Sequence, residues 1–221
     1  MVPTNDIIPI LSSLSIDTAM KIGILGGTFD PVHAGHIFIA EEARIRLSLE
    51  KVLFIPAGNP WLKVDHEVTP AQQRVEMVRL AIAKHEHFKL CTIEVERGGP
   101  TYTADTLDEL QEKLGAHEYY LILGRDSFKD LPMWKDANRL VGMCRLVVVP
   151  RVGTNLPELS EVASKIGGLA RENVVTLDSP MIGISSSGIR ERVSRGLPID
   201  YLVPGEVEKY IIAHGLYRST G

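Results

Sequence analysis

The chain has 221 residues, 44% of them hydrophobic and 24% charged, a composition that supports one sizeable core and argues against disorder or a collagen-like repeat. Its 24 Lys+Arg against 28 Asp+Glu leave a net charge of -4, which excludes the bulk basic footprint of a nucleic-acid binder, so any bound phosphate is held locally. Cys91 and Cys144 form no CxxC pair and no apolar run approaches the length of a membrane span; the expectation is buried reduced thiols in a cytoplasmic protein with no membrane attachment.

The opening stretch MVPTNDIIPILSSLSIDTAM carries Asp6 and Asp17 but no Lys or Arg, unlike a signal peptide, and Met20-Lys21 stands just before the first convincing strand. Residues 1–19 therefore read as a loosely ordered tail or upstream extension, and residues 20–221 as a single domain. Six β-rich runs follow: KIGILG, KVLFIPAG, FKLCTIEVE, EYYLILG, CRLVVVP and NVVTLD, most of them separated by helical periodicity. In TPAQQRVEMVRLAIAKH, Thr69 reads as N-cap, Pro70 as the first helical residue and Gln72 as the partner of a capping box, with Val75, Val78 and Ile82 on the apolar face. TADTLDELQEKLG places Leu107, Leu110 and Leu114 on one stripe and stops at Gly115.

Several strands are continuous apolar runs, as in a parallel sheet covered on both faces. The expected fold is α/β, a doubly wound, mostly parallel sheet with a small C-terminal helical part. Ligands of such folds bind beyond the carboxyl ends of the strands, and the turns Gly26–His36, Pro56–Lys63, Gly124–Asp126 and Ser185–Arg190 should converge there. The turn GILGGTFDPVHAGH leaves a strand through Gly26 and Gly27 and opens a helix at His33 and His36, which suggests an anion site at a helix start. It is neither a Walker A loop nor GxGxxG, and Pro56-Ala57-Gly58-Asn59 offers no acidic residue where a dehydrogenase needs one. The two histidines lack further partners at a metal-ligand spacing, so no protein-bound metal is expected. Helix capping is their structural alternative to phosphate contact.

The stretch GGTFDPVHAGH, with His33-Ala34-Gly35-His36, resembles the signature of the nucleotidyltransferase superfamily with the (H/T)xGH motif, and ISSSGIRERV resembles its ISSTxIR. RGGPTYTADTL, ILGRDSFKDLPMWK and YLVPGEVEKYIIAHGLY are similar to segments of the bacterial nicotinate-nucleotide adenylyltransferases, over about Lys21 to Tyr217. The resemblance implies a Rossmann-like nucleotidyltransferase fold and adenylyl transfer from ATP to nicotinate mononucleotide, giving deamido-NAD and pyrophosphate in NAD biosynthesis. It implies catalytic roles for His33, His36, Lys63 and Arg190, and ATP contacts from Gly26, Gly27, Thr28, Phe29, Gly35, Gly124, Asp126, Ile184, Ser185 and Ser186. Tyr102, Thr103 and Trp134 would meet the mononucleotide; for Asp126 and Thr103 an N-cap role stays open, and for Trp134 a place in the core.

Magnesium would accompany ATP, the partners would be ATP and nicotinate mononucleotide without nucleic acid or membrane, and a homo-oligomer is compatible with all of this. The family often reads PPHK where this chain has Pro60-Trp61-Leu62-Lys63, keeping the lysine but not the histidine, and Arg125 replaces a small residue beside the adenosine position. Nicotinamide mononucleotide or phosphopantetheine as acceptor, and an ATP-binding sensor without turnover, are the rival functions. His85 and His87 fit no motif and read as the solvated end of a helix.

Overall fold

The computed structural model describes residues 19–59, 68–149, 159–167, 169–177 and 183–218, so Lys63, its PWLK neighbours and all but the last residue of the 1–19 tail lie outside the described residues. Strands β1 (Lys21–Gly27), β2 (Lys51–Pro56), β3 (Phe88–Leu90), β4 (Glu118–Gly124), β5 (Arg145–Val149) and β6 (Val174–Thr176) form one sheet in the order β3-β2-β1-β4-β5-β6. Every pairing is parallel, with Ile24 facing Leu53 on one side and Leu121 on the other. The order reverses between β1 and β4, which puts the crevice of a doubly wound sheet above their carboxyl ends.

The helices are α1 (Ala34–Leu47), α2 (Ala71–Ile82), α3 (Ile93–Arg97), α4 (Thr103–Leu114), α5 (Arg125–Asp130), α6 (Ala137–Met143), α7 (Leu159–Ala163), α8 (Ser186–Ser194) and α9 (Gly205–Ala213). Alternate strand residues feed two cores. Ile22, Ile24, Leu53, Leu121 and Leu146 pack toward α3, α4 and α6, while Val52, Phe54, Tyr120, Ile122 and Val147 pack toward α1, α2, α8 and α9. Both faces of the sheet are therefore dry, which is why its strands read as unbroken apolar runs. Cys91 and Cys144 are buried free thiols, and burial pushes them up to about 11 and about 12, out of reach of thiolate chemistry near neutrality. Among the described residues no helix is long and apolar enough to cross a membrane.

Several local expectations need correction. Helix α2 starts one residue later than its capping pattern suggests: Pro70, at φ -47 and ψ 138, is the N-cap, and no side-chain cap bond forms. Thr69 is instead drawn into tertiary contacts, donating its N–H to Asp30 and accepting from Arg74. FKLCTIEVE is a strand only over Phe88–Leu90 and turns helical at Ile93. The N-caps of α4 and α5 are Tyr102 and Gly124, so neither Thr103 nor Asp126 caps its helix. Trp134 lies just past a 3-10 turn, Leu131–Met133, rather than within a helix. His85 stacks on Phe88 at 4.7 Å and His87 faces the Glu50 carbonyl at 3.1 Å, both beyond the end of α2.

Candidate active site

A cleft of about 500 Å³ opens above the carboxyl ends of β1 and β4. At its floor the chain leaves β1 through Gly26 and Gly27; a Cβ on Gly27 would come within 3.2 Å of the Phe29 ring, and Phe29 itself adopts the left-handed φ of 52. That sharp turn aims the following residues at the start of α1. His33 is its N-cap and only 6% exposed, His36 stacks on it at 3.6 Å, and the edge of His36 meets Phe29 at 5.0 Å. The His33 N–H donates to Nδ1 of His36 at 3.2 Å, so in the neutral ring the proton sits on Nε2. Helix capping and exposure to the cleft are thus both properties of His36.

Four helices begin on this cleft: α1 at Gly35 and His36, α4 at Thr103, α5 at Gly124 and Ser127, and α8 at Ser185, Ser186 and Ser187. Their N-terminal N–H groups and dipoles make it a place for negative charge. Ser185 is a true N-cap, its hydroxyl accepting from the Gly188 N–H at 3.2 Å, and Ile184 precedes it in the cleft wall.

The acceptors of the loop joining β1 to α1 are engaged within the protein. The carbonyl of Gly27 accepts from the Ala57 N–H at 2.8 Å, and that of Thr28 from Nη1 of Arg74 at 2.8 Å. Nη1 of Arg190 donates to the Asp30 carbonyl at 2.7 Å and the Ser186 hydroxyl to that of Pro31 at 2.9 Å. The Asp30 carboxylate, 1% exposed, accepts from the Tyr217 hydroxyl at 2.6 Å and the Thr69 N–H at 3.3 Å. With these oxygens engaged, the face left to a ligand is one of N–H groups, hydroxyls, imidazoles and a guanidinium.

Arg74 was not singled out from the sequence, although it sits on the same helical stripe as Val78, Ala81 and Ile82. It is 1% exposed and reaches three carbonyls, those of Thr28, Gly58 and Thr69. Burial draws its guanidinium down, and the neighbouring Asp30 charge opposes that. Gly58 is fixed from the other side: a Cβ there would stand 2.3 Å from the Glu94 carbonyl oxygen. The Glu94 side chain also lines the cleft; burial raises its carboxyl above the usual range against the pull of the Thr106 and Thr101 hydroxyls, the nearby Arg97 charge and the Gly58 N–H.

At the far end of the cleft Tyr102, Thr103, Trp134 and Lys135 come together, with Lys135 Nζ 4.3 Å from the centre of the Tyr102 ring and 3.1 Å from Asp105. Trp134 both faces this cleft and packs against the core, and its buried indole N–H has no hydrogen-bond partner among the described residues. Of the residues anticipated from sequence, Gly26, Gly27, Thr28, Phe29, His33, Gly35, His36, Gly124, Ile184, Ser185, Ser186 and Arg190 also line the cleft. Asp126 does not: it is exposed in the first turn of α5, while Ser127 faces inward. Glu94, Thr101, Thr106, Lys135 and Ser187 are additions.

The family model for cytidylyltransferase-like proteins matches residues 24–192. A protein of Dehalococcoides mccartyi described as "Probable nicotinate-nucleotide adenylyltransferase" is 45% identical over 200 residues, 90% of this chain and 98% of that one. One of Thermomicrobium roseum with the same description is 40% identical over 200 residues, 90% and 92% of the two chains. Among solved structures, the Plasmodium falciparum nicotinic acid mononucleotide adenylyltransferase complexed with NaAD superposes with a TM-score of 0.72 over 90% of this chain and 97% of its own, at 20% identity. That structural likeness concerns the fold.

Proposed function

The chain belongs to the cytidylyltransferase-like family, and on that premise we propose that it transfers the adenylyl group of ATP to nicotinate mononucleotide, giving nicotinate adenine dinucleotide and pyrophosphate in NAD biosynthesis. An oxygen of the mononucleotide 5'-phosphate attacks the α-phosphorus of ATP. A new P–O bond forms as the bond to the oxygen bridging the α- and β-phosphorus breaks, and pyrophosphate leaves with the electron pair. Positioning and charge stabilisation carry such a transfer, so no nucleophilic side chain is required.

The observation that carries this reading is the loop from Gly27 to His33, in which the carbonyls of Gly27, Thr28, Asp30 and Pro31 and the Asp30 carboxylate are hydrogen-bonded within the protein, beside the His33, His36, Ser185, Ser186 and Arg190 that line the cleft. On this reading His36, its Nε2 proton fixed by the bond at Nδ1, donates to a phosphate oxygen whose charge grows in the transition state. His33, the Gly27 and Thr28 backbone, Ser185 and Ser186 surround the same phosphates. Arg190 keeps one guanidinium nitrogen on Asp30 and turns the remaining donors to the leaving pyrophosphate. Lys63 supplies a further cation.

Magnesium would come with ATP as its counter-ion and would supply charge neutralisation at the phosphates, with no side chain of this chain assigned to hold it. Among the described residues no cluster of three or more His, Cys, Asp or Glu is arranged to hold a metal.

At the other end, Trp134 offers a stacking face to the pyridine ring and Thr103 the N–H and hydroxyl donors of a helix start. Donors favour a carboxylate over an amide, since a hydrogen bond to a charged group is worth about 1.5 to 3 kcal/mol. One such contact gives on the order of tenfold to a hundredfold preference for the acid. Pyrophosphate release from ATP and magnesium, measured against nicotinate mononucleotide, nicotinamide mononucleotide and phosphopantetheine, tests the assignment. The acid should be used with the highest kcat/KM; equal use of the amide would reject the pyridine-site model, and exclusive use of phosphopantetheine the function itself.

A further inference from the structure

We propose that Tyr217, in the turn after the last helix, is a positioning residue for the polyphosphate half of the cleft, acting through Asp30 on Arg190 and on the loop from Thr28 to His33. The proposal rests on the adenylyl-transfer reading above.

Asp30 is a buried hinge between two sets of contacts. Its carboxylate is held from below by the Tyr217 hydroxyl at 2.6 Å and the Thr69 N–H at 3.3 Å. Its carbonyl, on the cleft side, receives Nη1 of Arg190 at 2.7 Å. One residue earlier Phe29 is in the left-handed region, and one residue later the Pro31 carbonyl is held by Ser186. The peptide units of this turn therefore cannot rotate separately: a change in the seat of the Asp30 side chain tilts its carbonyl and with it the guanidinium that leans on it.

Tyr217 is well placed for this work. It is itself at a left-handed φ of 62, a conformation a tyrosine adopts only when its surroundings require it. Its ring packs on the core beside α9, and the hydroxyl also lies 4.0 Å from the Met77 sulfur. Burial and the adjacent Asp30 charge push its hydroxyl far up, so it stays a proton donor throughout the pH range in which the protein would work. Asp30 also lies near the buried Arg74, where its charge opposes the lowering of the guanidinium by burial. A carboxylate beneath a triphosphate site would repel the ligand if it faced upward; Tyr217 and Thr69 hold it facing down.

Tyr217→Phe removes one oxygen and keeps the ring. Steady-state kinetics of the full chain, with ATP varied at fixed nicotinate mononucleotide and the reverse, should show kcat/KM for ATP falling about tenfold, equivalent to ~1.4 kcal/mol. KM for the mononucleotide should stay within about twofold on this reasoning, because Tyr102, Thr103 and Trp134 belong to the α4 and Leu131–Met133 side of the cleft, and substitutions at separate sites act independently. Tyr210→Phe is the control: Tyr210, on helix α9 just before that turn, stacks on His214 at 3.9 Å, and loss of its hydroxyl should leave both parameters unchanged.

Unchanged ATP parameters in Tyr217→Phe would overturn the proposal, as would an equal loss toward both substrates or the same loss in Tyr210→Phe, which mark general loosening of the terminal helix. If the unsubstituted chain releases no pyrophosphate with the mononucleotide, the functional reading fails instead. Calorimetric binding of a non-hydrolysable ATP analogue then decides the inference alone: Tyr217→Phe should weaken it about tenfold, and equal affinity refutes it.

Discussion

His36→Ala separates two jobs that one imidazole performs. The structural job is at the start of α1, where Nδ1 accepts the His33 N–H and the ring packs on His33 at 3.6 Å and Phe29 at 5.0 Å. Losing a cap of this kind costs about 1 kcal/mol, and losing two ring contacts on a partly exposed side chain adds roughly another 1 kcal/mol. For a chain of this size, about 2 kcal/mol lowers the melting temperature by roughly 4 to 8 °C. The chemical job is the Nε2 donor, and removing one transition-state donor lowers turnover by about two to three orders of magnitude. The assay is pyrophosphate release alongside a thermal melt, run also on His36→Asn, whose side-chain oxygen can still accept the His33 N–H. Asn should recover part of the melting temperature and none of the lost turnover. Recovery of both, or wild-type turnover in the alanine variant, would refute the division of labour and return His36 to a purely structural role.

Gly58→Ala places a Cβ 2.3 Å from the Glu94 carbonyl oxygen, so backbone must move; overpacking of this kind costs about 1 to 3 kcal/mol, visible as a lower midpoint in urea, and an unchanged midpoint would show that the approach of α3 to this loop is not tight. Glu94→Gln should stabilise the protein near neutrality. Because the folded-state carboxyl is raised, the native chain holds its proton more tightly than the unfolded one, so the glutamate's contribution is fully present below the usual glutamate range and is lost as pH rises through the shifted value. The advantage of Gln should therefore grow with pH and then level off; a constant difference between pH-matched melts would contradict the burial of Glu94. Trp134→Ala should raise KM for the mononucleotide on the order of tenfold, with Trp134→Phe between the two, while KM for ATP stays put; a matching rise for ATP would mean that the indole serves the core rather than the ring of the substrate.

What the sequence discloses and what it hides follow from how local each cause is. Helix α4 was legible because Leu107, Leu110 and the half-buried Leu114 share a stripe and Gly115 ends it, all within one segment. The strands' continuous apolar runs were legible for the same reason, and with them the parallel, doubly wound sheet. The start of α2 was not, since Thr69 is claimed by Asp30 and Arg74, partners 39 and 5 residues away that a capping pattern does not register. TIEVE alternates as a strand should, yet the backbone at Glu94 meets Gly58 and closes as a helix, tertiary contact overriding propensity. Asp30 and Tyr217 stood inside quoted motifs without a role, because the bond between them spans 187 residues. Asp126 was placed in the cleft by its motif position, but the helix it belongs to turns Ser127 inward instead.

The loop that opens α1 is among the first parts of the domain to be synthesised and among the last to be completed. Its clasps are Ser186, Arg190 and Tyr217, which arrive 155, 160 and 187 positions after the oxygens they hold. A nascent chain that has already made β1, β2 and β4 has the floor of the cleft but not the side chains that hold the Asp30 and Pro31 carbonyls and the Asp30 carboxylate. Nucleotide then has little to recognise in a partly made protein and much in a finished one. By mass action a nucleotide bound in the cleft would stabilise only the completed state.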